Sequence, residues 1–247
     1  MEVTEIIIDH LHNDPRSLRA CTLVSKQWLP TSRFHLIPRL QVQENFVDSF
    51  LELLESPHSQ FARSARVLEI ANLSTGHNNA WVNRVMPSLV KHLGHVTSFN
   101  LSYVKWGQLT PRAIECMNGF MNIQSLALLD CSFMTLQQLV SFICASQKLR
   151  FLHFGRSLYE QDGPQVASSQ TISPHLSKLR VDAGPSFFFK WLSSQEAIFL
   201  EGIILDPISL ENIEDVQRIL RRAGPSLTLL KLRFDDQYMQ RSGSCIG

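Results

Sequence analysis

The sequence predicts an α/β chain in which a short module of three helices precedes a longer series of strands alternating with helices. Three observations predict it. Apolar residues in the first forty positions recur at helical spacing, an apolar-x-x-apolar-x-apolar frame then returns eight times, and most segments between frames read as amphipathic helices. The 247 residues, 44% hydrophobic and 18% charged, are enough for a full core and do not have the composition of a disordered chain.

The first helix is read from Val3, Ile6, Ile7 and Leu11, one apolar stripe between about Glu2 and His12. The second starts at "NDPRSL", where Asp14 can cap free amides and Pro15 suits the first helical position because its missing N–H costs nothing there. Leu18, Cys21 and Val24 form its apolar side. The third begins near Trp28, at or after Gln27, since Pro30 is tolerated only in a first turn. Three helices this short cannot hide their apolar surface among themselves. Leaving a few large side chains wet forfeits several kcal/mol at about 25 cal/mol per Å2, so the module calls for a partner.

The stretch "MEVTEIIIDHL…SLRACTLVSKQW" resembles an F-box, with Glu2, Ile7, Ile8, Leu11, Leu18, Val24, Ser25, Lys26 and Trp28 on the family's positions. The match covers about 40 residues and is most specific in Val-Ser-Lys-x-Trp; the family's leading Leu-Pro would fall ahead of Met1. The resemblance implies binding to a Skp-type adaptor and, through it, a cullin within a ubiquitin ligase. The other reading is an ordinary helical cap around a tryptophan.

The eight frames are Ile37/Leu40/Val42, Ala65/Leu68/Ile70, Val96/Phe99/Leu101, Ile123/Leu126/Leu128, Leu149/Leu152/Phe154, Leu176/Leu179/Val181, Leu200/Ile203/Leu205 and Leu227/Leu230/Leu232. Their leading residues lie 28, 31, 27, 26, 27, 24 and 27 positions apart, too even for chance triplets. Between them, "NFVDSFLELLES", "NNAWVNRVMPSLVKHL", "TPRAIECMNGF", "TLQQLVSFICAS" and "SLENIEDVQRILRRAG" read as return helices. Ser209 with Asn212 opens the last of these, and Gly224-Pro225 closes it. The segment from Gly155 to His175 lacks helical periodicity and reads as a long loop.

A period near 27 is similar to that of leucine-rich repeats. The resemblance implies a curved parallel sheet, concave, with helices on the convex side. It is irregular at the ladder position, where only Asn45 and Cys131 supply the Asn or Cys that such repeats use. Residues 1–36 are thus expected to form the helical module, 37–238 the repeat solenoid and 239–247 a flexible tail. "HLIPRLQVQ" joins the first two without a Gly- or Pro-rich linker, so rigid coupling is expected. Separate α/β units are the alternative packing. The whole chain resembles the F-box proteins with leucine-rich-repeat-like tails of mushroom-forming fungi.

Alternation along each strand sends the residue between two core positions to the opposite face. On that face Glu69 and Asn100 come from the earlier strands, and His153, Arg180, Lys231 and Arg233 make the later strands more basic. These are the candidate residues for a protein target, as an acidic or phosphorylated segment held by Arg. Asp182 and Asp206 would neutralise part of that charge, and ordinary solvated charge is the plainer reading. "GPSFFFKWLSS" puts Phe187, Phe188, Phe189 and Trp191 on one short helix, either as core or with one or two projecting as a partner anchor.

Catalytic signatures do not emerge. There is no Gly-rich phosphate loop, Gly-x-Ser-x-Gly or His-Glu-x-x-His, and the pairs His10/His12 and His92/His95 supply too few ligands for zinc. Arg218, Arg221 and Arg222 stand beside Glu211, Glu214 and Asp215, as in a solvated helix rather than a nucleic-acid face. A net charge of +1 makes no case for nucleic acid or membrane surfaces. No apolar run approaches the roughly 18 residues of a membrane span, and no signal-peptide pattern opens the chain.

Five scattered cysteines without a Cys-x-x-Cys pair read as buried or free thiols, so cytoplasm or nucleus is the expected compartment. The Asn-x-Ser matches at Asn72 and Asn100 are then read as chance. The expectation is a non-catalytic recognition subunit needing no cofactor and no small-molecule substrate. A stand-alone repeat scaffold is the alternative, and an enzyme with a site on the long loop is the remote third reading.

Overall fold

Each of the eight apolar frames becomes a strand, and every described frame residue of the first seven is buried. The computed structural model describes residues 3–36, 38–56, 61–72, 78–156, 158–159, 170–196 and 198–234. The tail at 239–247, Glu2 and most of the long loop lie outside the described residues. The chain is mixed α/β with parallel strand pairing, and it divides into two units: residues 1–100 with 109–122, and residues 101–108 with 123–247.

In the first unit α1 (Val3–His10), α2 (Pro15–Val24) and α3 (Leu29–Leu36) form the helical module. Asp14 caps α2 as its position demands, its carboxylate accepting from the N–H groups of Arg16 at 3.0 Å and Ser17 at 3.2 Å. Pro30 sits in the first turn of α3. There follow β1 (Arg39–Val42), α4 (Val47–Glu55), α5 (Phe61–Ser64), β2 (Val67–Ala71), α6 (Ala80–His92), β3 (Ser98–Ser102) and α7 (Pro111–Asn118). The division of the chain falls within β3, after Asn100.

Helix α6 runs through Pro87, whose ring and missing N–H cost about 3 kcal/mol in a helix interior. Burial of Trp81, Val82, Val85, Met86 and Leu89 along one face offsets that cost. Behind β2, Asn72 and Asn79 are fully buried and bonded to each other at 2.7 Å, and Asn72 also accepts from the Trp81 indole N–H at 3.2 Å. The Asn72 amide is therefore part of the core.

In the second unit the described elements are β4 (Ser125–Leu129), β5 (Ser132–Phe133), α8 (Leu136–Ala145), β6 (Phe151–Gly155), β7 (Leu158–Tyr159), β8 (Lys178–Asp182), α9 (Ser186–Ser194), β9 (Gly202–Ile208), α10 (Ile213–Ala223) and β10 (Leu229–Phe234). The main sheet here runs β4-β6-β8-β9-β10, and β5 pairs with β7 apart from it. The two-residue β7 thus falls within the segment expected to be loop throughout. Register aligns the frames: Leu126 is opposite Leu152, Leu152 opposite Leu179, Leu179 opposite Ile203 and Ile203 opposite Leu230. Leu230, on the last strand, differs from its counterparts in being 46% exposed.

Two backbone arrangements recur with the frames. At the starts of β1, β2, β4, β6, β8 and β9 one carbonyl accepts two successive N–H groups from the next repeat. Pro38 takes those of Arg66 and Val67, Gln124 those of Arg150 and Phe151, Arg150 those of Ser177 and Lys178, and Ser177 those of Glu201 and Gly202, all at 2.7–3.0 Å. At the far end, Tyr103, Asp130, Arg156 and Ala183 each follow a strand directly with φ between 42° and 59°. Their N–H groups donate to the carbonyls of Leu129, Gly155, Asp182 and Asp206 respectively, at 2.8–3.0 Å.

Cys131, read as a ladder residue, takes up a buried position. Its buried thiol donates to the carbonyls of Leu101 and Leu129, both at 3.5 Å, and burial pushes its pKa up to about 12. Asn45 does not: it lies exposed in the 3-10 turn Glu44–Phe46, where it is solvated rather than stacked. The aromatic run on α9 is core rather than anchor. Phe188, Phe189 and Trp191 are buried, Phe187 is half-buried, and Phe188 stacks on Phe154 with centroids 4.8 Å apart. Arg222 on α10 closes the end of α9 by donating to the carbonyls of Ser193 and Gln195.

The left-handed conformation costs a non-glycine residue about 1–2 kcal/mol, and glycine's greater freedom in the unfolded chain returns part of that. Ala183, with no side-chain contacts to lose beyond one methyl, is the clean place to measure it. Ala183→Gly should stabilise the protein by up to about 1 kcal/mol in urea unfolding, and Ala183→Val should destabilise it. Equal stability of all three would mean that the conformation carries no cost.

Candidate functional site

Short helices can bury only one side each, and in the helical module that side is small. Ile8, Leu18 and Cys21 form its centre, with Leu11, Trp28 and Leu36 packed against them. The Val-Ser-Lys-x-Trp stretch is a turn that delivers Trp28 to this centre. The Ser25 hydroxyl accepts from the Gln27 N–H at 3.1 Å, and its carbonyl accepts from the Trp28 N–H, also at 3.1 Å. Asp9 on α1 holds His35 on α3 at 2.7 Å.

The predicted adaptor-binding set therefore splits. Ile8 and Leu18 are interior, Leu11 and Trp28 are half-buried supports, and Ser25 shapes the turn. Ile7, Val24 and Lys26 face outward, joined by Val3, Ile6 and Leu23. Val24 was expected beside Leu18 and Cys21 but is 64% exposed. Two successive steps of three residues fall about 120° short of two full helical turns, which carries Val24 off the buried side. Leu23, 87% exposed, was not anticipated; its signal was its place beside Val24 at the outer end of α2.

The open sheet face of the first unit is quiet. The Glu69 carboxylate takes both the Arg39 guanidinium at 3.4 Å and the Asn100 amide at 3.1 Å, so these polar groups satisfy one another.

The open face of the second unit concentrates charge. Register places Ala127, His153, Arg180, Ile204 and Lys231 in one row across β4, β6, β8, β9 and β10. Asp182 joins the first two predicted target residues: His153 Nε2 lies 2.7 Å from Oδ2, and Arg180 Nε donates at 3.0 and 3.2 Å to the two oxygens. Burial alone would raise the Asp182 pKa, but these bonds and the charges behind them outweigh it and hold the carboxyl below its ordinary value. Gly155 makes room for the hub, since a Cβ there would lie 3.1 Å from Leu129 Cδ2 and 3.3 Å from Asp182 Cβ.

Arg233 is paired with Asp206 at 2.5 Å. Lys178 and Lys231 are exposed and make no ion pair among the described residues. The structure thus brings His153 and Arg180 together on one carboxylate, ties Arg233 to another and leaves the lysines available. The arrangement is a charged open face on which His153 and Asp182 engage each other. Among the described residues no group of three or more His, Cys, Asp and Glu is placed to hold a metal ion, and no helix is long and apolar enough to cross a membrane. Comparison with known proteins gave no matching family model and no matching curated protein.

Because the folded pKa of Asp182 lies below the unfolded one, its pairs contribute fully above the ordinary carboxylate value of about 3.9 and are lost as pH falls through the folded value. Asp182→Asn should therefore be less stable than the parent protein at neutral pH, and the gap should narrow below about pH 4. Urea midpoints across that range measure it, and a gap independent of pH would show that the carboxylate charge is not what the pairs use.

Proposed function

We propose that the chain is a non-catalytic substrate-recognition subunit of an SCF-type cullin–RING ubiquitin ligase. The helical module is an F-box that docks on a Skp-type adaptor. The repeated strands and helices are an irregular leucine-rich-repeat solenoid whose open sheet face takes a protein target. Ubiquitin chemistry takes place on partner proteins, so the chain itself needs no cofactor.

The observation that carries this reading is the apolar surface on α1 and α2. Val3, Ile6, Ile7, Leu23 and Val24 are all exposed around a module whose own centre is already filled. Fully covering a Val, Leu or Ile side chain is worth about 1.5–3 kcal/mol, so a partner seated on even three of them gains enough to matter for affinity. The Val-Ser-Lys-x-Trp turn that resembles the family's sets the end of α2 and the start of α3 and so positions Val24 and Leu23. Support for the second half comes from the frame-by-frame register, in which each short strand is followed by a return segment and pairs in parallel with the next.

Affinity purification of the tagged chain from cells should recover an adaptor of the Skp type together with a cullin. The outward residues are the ones to change: Ile7→Asp with Val24→Asp should reduce adaptor capture at least tenfold while leaving thermal unfolding near the parent value. Trp28→Ala should lower both, since Trp28 packs inside the module. Normal adaptor capture by the double variant, or no adaptor recovered by the parent chain, would replace this reading with that of a scaffold outside any ligase.

A further inference from the structure

The last three strands of the main sheet form a shallow trough. Its floor follows β9, where the open-face positions are Gly202, Ile204 and Asp206. Gly202 lacks a side chain between taller neighbours: a Cβ placed there would meet Lys178 Cγ at 3.6 Å and Leu229 Cβ at 3.7 Å. One wall is Lys178, Arg180 and Asp182 on β8, and the other is Leu229, Lys231 and Arg233 on β10. Neighbouring strands are about 4.8 Å apart, so the walls stand roughly 10 Å from each other, the width that one extended chain fills.

Four of the six wall residues are cationic in a chain whose overall charge is only +1. The corresponding face of β1–β3 has a single cation, Arg39, already paired with Glu69. The cations of the trough are also sorted by type. Arg180 and Arg233 are each held by an aspartate, whereas Lys178 and Lys231 project on opposite walls without an ion pair among the described residues.

We infer that this trough binds an extended acidic peptide, with an apolar side chain over Gly202 and Ile204 and carboxylates beside Lys178 and Lys231. This rests on reading the open sheet face as the target surface and names the chemistry of the target segment. Carboxylates fit better than phosphates, because a phosphate is best met by the two-pronged guanidinium, and both guanidiniums here are already committed to aspartates. Nucleic acid fits less well. Its bases want aromatic faces, and the six wall residues include none.

The test is fluorescence anisotropy with the full chain and a labelled nonapeptide of glutamates around two central leucines. Its counterpart with lysine for glutamate, a phosphoserine version on a neutral background and single-stranded oligothymidylate serve as competing probes. The acidic peptide should bind, and binding should weaken as salt is raised. Lys178→Glu with Lys231→Glu should weaken it by about tenfold or more, as loss and reversal of two exposed pairings predicts. Arg112→Glu with Lys91→Glu, an equal charge change at exposed positions on α7 and α6, should leave binding unchanged.

Ile204→Ser should weaken the leucine-containing peptide more than one with alanine at the centre. Absence of binding to the acidic peptide, equal binding by the double lysine variant, or preference for the phosphoserine peptide or the oligonucleotide would each overturn the inference. Adaptor capture by the double lysine variant should be normal, which keeps failure of the trough distinct from failure of the ligase reading.

Discussion

The doubled hydrogen bond at the starts of six strands of the main sheet is the constraint on which the rest depends. A single carbonyl receiving two successive N–H groups fixes where the next strand begins, and it does so at the same repeat position each time. In a strand, side chains alternate, so a slip of one residue would send every buried Leu, Ile and Phe to solvent and every open-face charge into the core. Pairing therefore decides chemistry here. Arg180 stands beside His153 and Ile204 because the carbonyls of Arg150 and Ser177 set those registers.

The opposite ends of the strands are fastened by a less economical device. Tyr103, Asp130, Arg156 and Ala183 all take the left-handed conformation that glycine would adopt freely, although Arg156 and Ala183 each stand beside a glycine, Gly155 and Gly184. What each residue gains is an N–H aimed at a carbonyl at or near the end of the adjacent strand, leaving neither group unsatisfied. Three of the four carry a polar side chain at the strand's end, and the Asp130 and Arg156 side chains meet at 3.6 Å. The strain is local and repeated, so it is tolerated only because the register on either side is over-determined by the buried frames.

Most of this fold was legible in the sequence because burial repeats with a period. Leu126, Leu152, Leu179 and Ile203 announce themselves by spacing alone, and the return helices by their apolar sides and caps. What was hidden depends on neighbours remote in the chain. That Asp182 gathers both His153 and Arg180 follows from a residue 29 positions away being one strand over, a fact no local pattern encodes. The aromatic run on α9 was ambiguous for a similar reason, since its composition does not reveal that Phe154 lies ready to stack with Phe188. Val24 was misplaced by extending a three-residue step beyond the point where helical phase permits it. The left-handed positions left no trace at all, being occupied by Tyr, Asp, Arg and Ala.

The two candidate surfaces differ in what sequence change they can absorb. The open face of the second unit is made by side chains whose removal leaves the buried frames untouched, and exposed substitutions away from special features typically change stability by less than about 0.5 kcal/mol. Lys178 and Lys231 are therefore free to vary with whatever the face must hold, while Asp182 and Gly155 are not, being tied to the pairing beneath them. The centre of the helical module has no such latitude. It is so small that Ile8, Leu18 and Trp28 are needed to hold three helices together. Ile7 and Val24 lie outside that centre, exposed on α1 and α2. Apolar exposure there serves no packing within the module, and charge on the sheet can likewise be exchanged almost without structural consequence.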